Sequence, residues 1–513
     1  MKKRIFVVLT IIIVVSGSIS FSMLTRGHNW GGDFAQYLMQ ARAIATGTID
    51  EFAQWMAFTM NESERALAPI TYPWGLPLLL APVYSIVGFK ILALKLVLLA
   101  CYMMYLIIFF FFSRRRLSDT EALLLTAFFA FNPTLIRYPN SILSDIPFLL
   151  FSTLCILLID IYFNQYKRKF MGLAVGIIIY LASLFRTNGI LLFIPLFVTQ
   201  VIFVMRETKT GNKLKPTLLL AVVPYLTFGI FVFIEKQITN SINISSLNQN
   251  IPTIQQFVSE TTFQTLRHNL VYYFWLPTSL FNEITKYQTP LYLFFLFFSI
   301  VNLSEHNIRN LPIHAFIFST LLIYIINVHI QGIRYIFPIL PFFIVFAFGG
   351  MKSGILWFKE IYKKRATRML SIFFAFLVLI AIISSIDLAE KNLAANRFVK
   401  GPYDNINYWM FRYIRTEIPA ESIIVFWKPR VMRLLSDHNS FFTNRCEDLP
   451  KGDYLVYDNK VYNNQGKYDQ IKAENLDSCN LFVNLTPIKN LDYYTIYKID
   501  RLDNSTLIKT KEE

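Results

Sequence analysis

The strongest constraint on this chain is a series of apolar runs, each about 18 to 22 residues long, the length a helix needs to cross the hydrocarbon of a bilayer. Short polar stretches separate them. Of the 513 residues 54% are hydrophobic and 49 are Phe, and the mean hydropathy is +0.44, above what a soluble domain carries. Inside lipid the backbone must satisfy its own hydrogen bonds, which leaves helices for runs of this length. The expected fold class is mainly α, a polytopic helical membrane protein of about 11 transmembrane helices.

The formal charge of +16 invites a nucleic-acid reading, but its distribution argues against one. The basic clusters Arg114-Arg115-Arg116, Lys167-Arg168-Lys169, Arg206 to Lys215 and Lys352 to Arg368 fall at segment ends in alternate loops, as the positive-inside rule predicts. The partners this implies are membrane lipids, not nucleic acid.

Lys2-Lys3-Arg4 followed by Ile5 to Val15 looks like the front of a signal peptide. The apolar run continues through Phe21 and Met23, however, and no small-residue cleavage site follows, so we read an uncleaved first helix with a cytoplasmic N-terminus. Further helices are expected at about 91–112, 119–136, 142–163, 171–184, 190–205, 216–234, 291–303, 311–328, 334–348 and 369–386. Eleven crossings put the C-terminus outside, and every cluster of three or more basic residues after the start then lands inside. This gives a transmembrane domain over residues 1–386 with external loops at 25–90 and 235–288. The loop at 235–288 has no lipid-compatible run. Residues 387–513 are polar and long enough to fold alone. A helix over Asp404 to Thr416, a short one over Arg430 to Leu435 and strands at 422–426, 454–457, 481–484 and 493–499 make this a small extracytoplasmic α/β domain.

Cys101 and Cys155 lie in apolar segments and are read as packing residues. Cys446 and Cys479 both fall in the C-terminal region; outside the cytoplasm they could pair, and their spacing does not decide it.

Ionisable groups gather at the outer membrane boundary. Asp33 follows the first helix, in Trp30-Gly31-Gly32-Asp33-Phe34, where a carboxylate also suits a helix N-cap. Arg137 ends the third helix, Asp145 begins the fourth, Arg186 sits in the turn between the fifth and sixth, and Arg334 opens the tenth. Singly, each has a bland reading, since arginines snorkel and acids suit helix N-termini. Together they place two carboxylates and three guanidiniums at one membrane level, and such groups are functional candidates. Guanidiniums recognise phosphate, and a carboxylate can take a hydroxyl proton as that oxygen attacks a sugar carbon. A lipid-anchored phosphate carrying a sugar needs both. The histidines His268, His314 and His329 have no metal-ligand spacing; His329 is a distant candidate neighbour of the site.

Five motifs carry a family resemblance: Gly32-Asp33; Tyr72-Pro73-Trp74-Gly75-Leu76-Pro77-Leu78-Leu79; Tyr138-Pro139-Asn140-Ser141-Ile142-Leu143-Ser144-Asp145-Ile146-Pro147; Arg186-Thr187-Asn188-Gly189; and Arg334-Tyr335-Ile336-Phe337-Pro338. In their order along residues 1–348 they resemble the bacterial membrane glycosyltransferases of the GT-C fold, the protein O-mannosyltransferase and lipid A aminoarabinose transferase group. The resemblance implies a polyprenyl-phosphate-linked sugar donor, an outer-face active site in the cytoplasmic membrane, and inversion at the anomeric carbon. It makes Asp33 the general base or the residue that positions the acceptor, Asp145 a second acid of the site, and Arg334 a ligand of the donor phosphate. Arg186, Tyr335, Arg137 and Tyr72 are further substrate-binding candidates. Where some relatives show an acidic pair, this chain has the single acid of Gly32-Asp33-Phe34, which leaves a divalent metal open. The acceptor (protein, lipid or cell-surface glycan) and the role of the tail, acceptor binding or structural lid, are open as well. The rival reading is a transporter or flippase for lipid-linked glycans. Transporters tend to show internal repeats and midplane charges on broken helices, and neither is evident here.

Overall fold

The computed structural model describes residues 3–64, 69–165, 169–209, 214–240, 263–304, 308–326, 330, 332–356, 360–459, 471 and 476–502. Two compact units emerge. One comprises Met1–Leu24, Ala93–Ser241 and Ile251–Arg397; the other takes Thr25–Leu92 with Phe398–Glu513.

The first unit is helical. Its elements are α1 (Lys3–Met23), α5 (Ile91–Arg114), α6 (Asp119–Ala130), α7 (Pro133–Ile136), α8 (Asp145–Gln165), α9 (Lys169–Phe185), α10 (Phe193–Lys209), α11 (Leu214–Asn240), α12 (Phe263–Trp275), α13 (Gln288–Ser304), α14 (Leu311–Ile326), α15 (Leu340–Leu356) and α16 (Glu360–Ala394). Each of the eleven expected segments contains helix, but 119–136 is broken at Pro133 into α6 and α7, and 334–348 opens with the turn Ile333–Ile336 before α15 starts at Leu340. Among the described residues five are long and apolar enough to cross a membrane: Lys3–Met23, Ile91–Arg114, Asp145–Tyr162, Thr187–Arg206 and Arg365–Ala394. Shorter apolar helices follow the same composition, including Phe170–Phe185, Gln288–Leu303, Leu311–Ile326 and Leu340–Ile355. The chain is thus a multi-pass membrane protein. Two further expectations change. The 235–288 loop contains α12, whose apolar residues are interrupted by Arg267, His268 and Asn269, and α16 runs eight residues past the expected end at 386, to Ala394.

One break in this unit positions chemistry. Pro133 has no N–H to continue α6, so the carbonyls near its end need other donors. Tyr102 Oη donates to the Phe129 carbonyl at 2.8 Å, Ser16 Oγ to Ala130 at 2.6 Å and Ser385 Oγ to Phe131 at 2.7 Å. Hydroxyls from three other helices thus satisfy one interrupted helix end, as interhelical polar contacts do in lipid. Asn132 caps α7, accepting from the Thr134 amide at 3.0 Å. The chain can therefore turn through Arg137 and the tight turn Tyr138–Asn140 before α8 begins at Asp145.

The second unit joins the stretch between α1 and α5 to the C-terminal region, two parts that the sequence places in separate domains. It contains α2 (Gly32–Thr46), α3 (Ile49–Glu62), α4 (Gly75–Val87), α17 (Asn405–Glu417) and α18 (Pro429–Ser436). Its strands are β1 (Ile423–Val425), β2 (Asn439–Phe441), β3 (Tyr454–Asp458), β4 (Val483–Asn490) and β5 (Tyr494–Arg501). The sheet order is β2-β1-β3-β5-β4, with β1 parallel to both β2 and β3 and the other pairings antiparallel. The expected strands are present; β2 was not foreseen. Edge strands offer unpaired backbone groups, and here the end of α3 covers one. Thr59 Oγ1 donates to the Ser440 carbonyl at 2.9 Å, Phe442 N to Ser63 Oγ at 3.0 Å and Glu64 N to the Phe442 carbonyl at 3.0 Å. That dependence explains why the stretch over 25–92 folds with the tail. Cys446 and Cys479 form a disulfide, Cα to Cα 4.9 Å, beside a core of Val425, Phe441, Leu455 and Val483.

Candidate functional site

The predicted site residues fall into two groups, one in each unit. In the helical unit the centre is Asp145, 2% exposed, in the first turn of α8. Its Oδ1 accepts from Arg186 Nη2, and Arg334 Nη1 stands 3.9 Å from Oδ2, which has no hydrogen-bond partner among the described residues. Arg186 leaves α9 in extended backbone, and the following turn Thr187–Leu192 needs its glycine: a Cβ on Gly189 would stand 2.5 Å from Ser183 N and 2.7 Å from the Ala182 carbonyl carbon. Arg334 lies in the short turn Ile333–Ile336.

Tyr335 organises both guanidiniums. Arg186 lies over its ring at 4.2 Å and Arg334 at 5.2 Å, a cation–π arrangement that holds planar cations flat. Tyr324 packs edge-on against the Tyr335 ring at 5.7 Å and accepts from Asn188 Nδ2 at 2.9 Å. Among the described residues one carboxylate stands against two guanidiniums in a largely buried place. That suits an anion.

Arg137 pairs with Glu283 at 3.5 Å, and both are about half exposed. Lys95 was not picked out from the sequence, where it is a single cation in the apolar run of α5. It is fully buried and donates to Asn140 Oδ1 at 2.7 Å, inside the motif that leads to Asp145. A fully buried lysine is rare unless paired, and that rarity is the signal a sequence reading could have used. His329 lies outside the described residues.

In the second unit the centre is Asp33, in the first turn of α2. The N-cap residue is Gly31, whose backbone is extended; Asp33 sits two residues on, where negative charge favours the helix dipole. Tyr72 Oη donates to Asp33 Oδ1 at 2.8 Å. The Tyr72 backbone is fixed by Gln40, which donates to its carbonyl at 2.9 Å and accepts from its amide at 3.1 Å. Burial pushes the Tyr72 phenol well above its ordinary value, so it stays protonated and donates. Arg430, from α18, is expected from the sequence only as the start of a short helix and not as a site residue. Its Nη1 donates to Gln36 Oε1 at 2.9 Å and to Tyr72 Oη at 3.1 Å, and its Nη2 lies 3.6 Å from Asp33 Oδ1. Among the described residues no three His, Cys, Asp or Glu side chains gather as a metal site.

No family model matches, and no curated protein matches. Solved structures do. ArnT from Cupriavidus metallidurans bound to undecaprenyl phosphate superposes with a TM-score of 0.56 at 11% identity, over 95% of this chain and 97% of that one. The apo oligosaccharyltransferase of Archaeoglobus fulgidus gives a TM-score of 0.58 at 11% identity, over 89% of this chain and 70% of that one. The archaeal oligosaccharyltransferase AglB from Archaeoglobus fulgidus, in complex with an inhibitory peptide and a dolichol-phosphate, gives 0.51 at 11% identity, over 88% and 69%. The fold is therefore the GT-C fold that these solved structures share.

Proposed function

We propose that this chain is an integral membrane glycosyltransferase that moves a sugar from a polyprenyl-phosphate-linked donor to an acceptor hydroxyl on the extracytoplasmic face. The observation that carries the reading is the pair of guanidiniums, Arg186 and Arg334, held on Tyr335 against the single buried carboxylate of Asp145. Two guanidiniums beside one described carboxylate suit a phosphate, in a fold whose solved examples include proteins bound to undecaprenyl phosphate and dolichol-phosphate.

In the proposed reaction Asp33 takes the proton of the acceptor hydroxyl while that oxygen attacks the anomeric carbon. The bond between that carbon and the phosphate oxygen breaks, and the lipid phosphate leaves with the electron pair. A single displacement inverts the anomeric centre. Arg334 and Arg186 neutralise the departing phosphate, electrostatic stabilisation of the kind that usually dominates such catalysis. Asp145 orients the two arginines, since its carboxylate is already engaged by both. The disulfide between Cys446 and Cys479 supports an oxidising, extracytoplasmic compartment for the C-terminal region, and the basic runs support a cytoplasmic N-terminus.

The test is transfer of sugar from synthetic polyprenyl-phosphate donors by the purified protein, with the anomeric configuration of the product read by NMR. Turnover with inversion is the expected result. Movement of labelled lipid across vesicles without transfer would replace this reading with the transporter.

A further inference from the structure

Arg430 belongs to no part of the mechanism above, yet its side chain is only 10% exposed and it touches three groups of the Asp33 centre. We propose that Arg430 is the positioning residue of the proposed base: it holds Asp33 ionised and aimed, and so makes the C-terminal region part of the reaction centre. This rests on the reading of Asp33 as the base.

The geometry carries it. The guanidinium spends its hydrogen bonds on neutral acceptors, Gln36 Oε1 and Tyr72 Oη. Gln36 is itself fixed by donating to the Pro69 and Ile70 carbonyls at 2.8 and 3.1 Å. This leaves Nη2 at 3.6 Å from Asp33 Oδ1, within ion-pair range but outside a hydrogen bond. A bidentate pair would have occupied the lone pairs that must receive a proton. A cation one step away favours the ionised carboxylate without itself taking a hydrogen bond to it. Close approach is possible because residue 32 is glycine: a Cβ there would stand 2.4 Å from Arg430 Nη2 and 2.9 Å from Cζ.

Other charged groups of α2, α17 and α18 have partners of their own. Arg42 of α2 pairs with Asp437 at 2.7 Å, Arg415 of α17 pairs with Asp437 at 3.2 Å, and Arg433 of α18 lies over the Trp55 ring at 3.7 Å. Tyr72 and Arg430 both lie against Asp33 and both can be addressed by a variant. The alternative offered by the sequence, a tail serving as a detachable lid or acceptor-binding module, does not require a buried arginine from α18 against the first external helix.

The experiment compares transfer by the wild type, Asp33→Asn, Arg430→Gln, Arg430→Lys and Gly32→Ala, each in the full chain and each checked for folding by its melting curve. Arg430→Gln is expected to lower kcat by roughly 10- to 100-fold, the scale of a misplaced catalytic group, with donor KM within about two-fold. The acid limb of its pH profile is expected to move up by about one unit or more, as loss of a neighbouring arginine does to a carboxylate. Arg430→Lys should restore the limb more than the rate, because a point charge replaces a planar fork. Gly32→Ala keeps the charge but displaces it, and should move the limb the same way. If Asp33→Asn is inactive while a folded Arg430→Gln keeps the wild-type kcat and pH profile, the proposal fails and the base reading stands. Should Arg430→Gln not fold, an unchanged profile in Gly32→Ala overturns the proposal instead. Full activity of Asp33→Asn, or no transfer by the wild type, would remove the base reading and this proposal together.

Discussion

The Tyr72 hydroxyl donates to Asp33 Oδ1 at 2.8 Å while accepting from Arg430 Nη1 at 3.1 Å. A phenol in that position transmits the orientation of the arginine to the carboxylate. Tyr72→Phe removes both bonds and keeps the ring that packs on Tyr37 at 4.9 Å. We expect a loss of about 1.5–3 kcal/mol in stability, the scale of hydrogen bonds to charged groups, and a fall of roughly ten-fold in kcat as the carboxylate loses a positioning donor. Thermal melts and transfer kinetics measure the two. The sign of the pH effect follows from burial. The folded phenol titrates above its unfolded value, so above about pH 10 the unfolded chain ionises first and wild-type stability falls as pH rises. The difference in stability between wild type and Tyr72→Phe should therefore shrink with pH above that point.

Removing Asp145 tests the guanidinium pair. Asp145→Ala leaves Arg186 and Arg334 facing each other over Tyr335 without the buried carboxylate. Breaking a buried ion pair on one side costs about 3–5 kcal/mol, so a melt should drop markedly and donor KM should rise. Arg334→Lys should keep the fold and weaken donor binding, because its charge persists while the planar fork is lost.

Asp160 provides the contrast, an acid with a structural role. Arg115, Arg116 and Arg309 all donate to it, and it is 5% exposed. Asp160→Asn should destabilise by about 3 kcal/mol or more and leave donor KM unchanged in whatever protein remains folded. A donor KM that rose as it does in Asp145→Ala would contradict this division of roles.

The disulfide makes a further prediction. Cys446 and Cys479 are separated by 33 residues, and closing a loop of that size contributes about 2–4 kcal/mol. Cys446→Ser should melt at lower temperature by that measure, and reductant should lower the wild-type transition but not that of the variant.

The helical unit was legible because hydropathy reports burial in lipid directly: each of the eleven expected segments contains helix. What escaped depended on tertiary partners. Helix α12 is interrupted by Arg267, His268 and Asn269, which reads as loop until its packing is known. Strand β2 is three residues, Asn439 to Phe441, too short for alternation to show; it exists because β1 and the end of α3 supply its hydrogen bonds. The motifs bearing Asp145, Arg186, Arg334 and Tyr335 were visible one by one, and in the fold they meet. Arg430 was not legible as a site residue. It lies in a polar tail 394 residues from its partner Gln36, and only the fold of the second unit brings α18 onto α2. Lys95 was hidden by its apolar surroundings, although a lone cation there is itself unusual.

The most direct test of the account is single-turnover transfer from a synthetic polyprenyl-phosphate sugar by the detergent-purified full chain, wild type beside Asp33→Asn. The account predicts inverted product from the wild type and a rate at least about 100-fold lower in Asp33→Asn, as expected for a lost general base, with donor binding retained in both. Equal rates in the two proteins would contradict the assignment of Asp33, and the absence of product from the wild type with every donor would contradict the transferase itself.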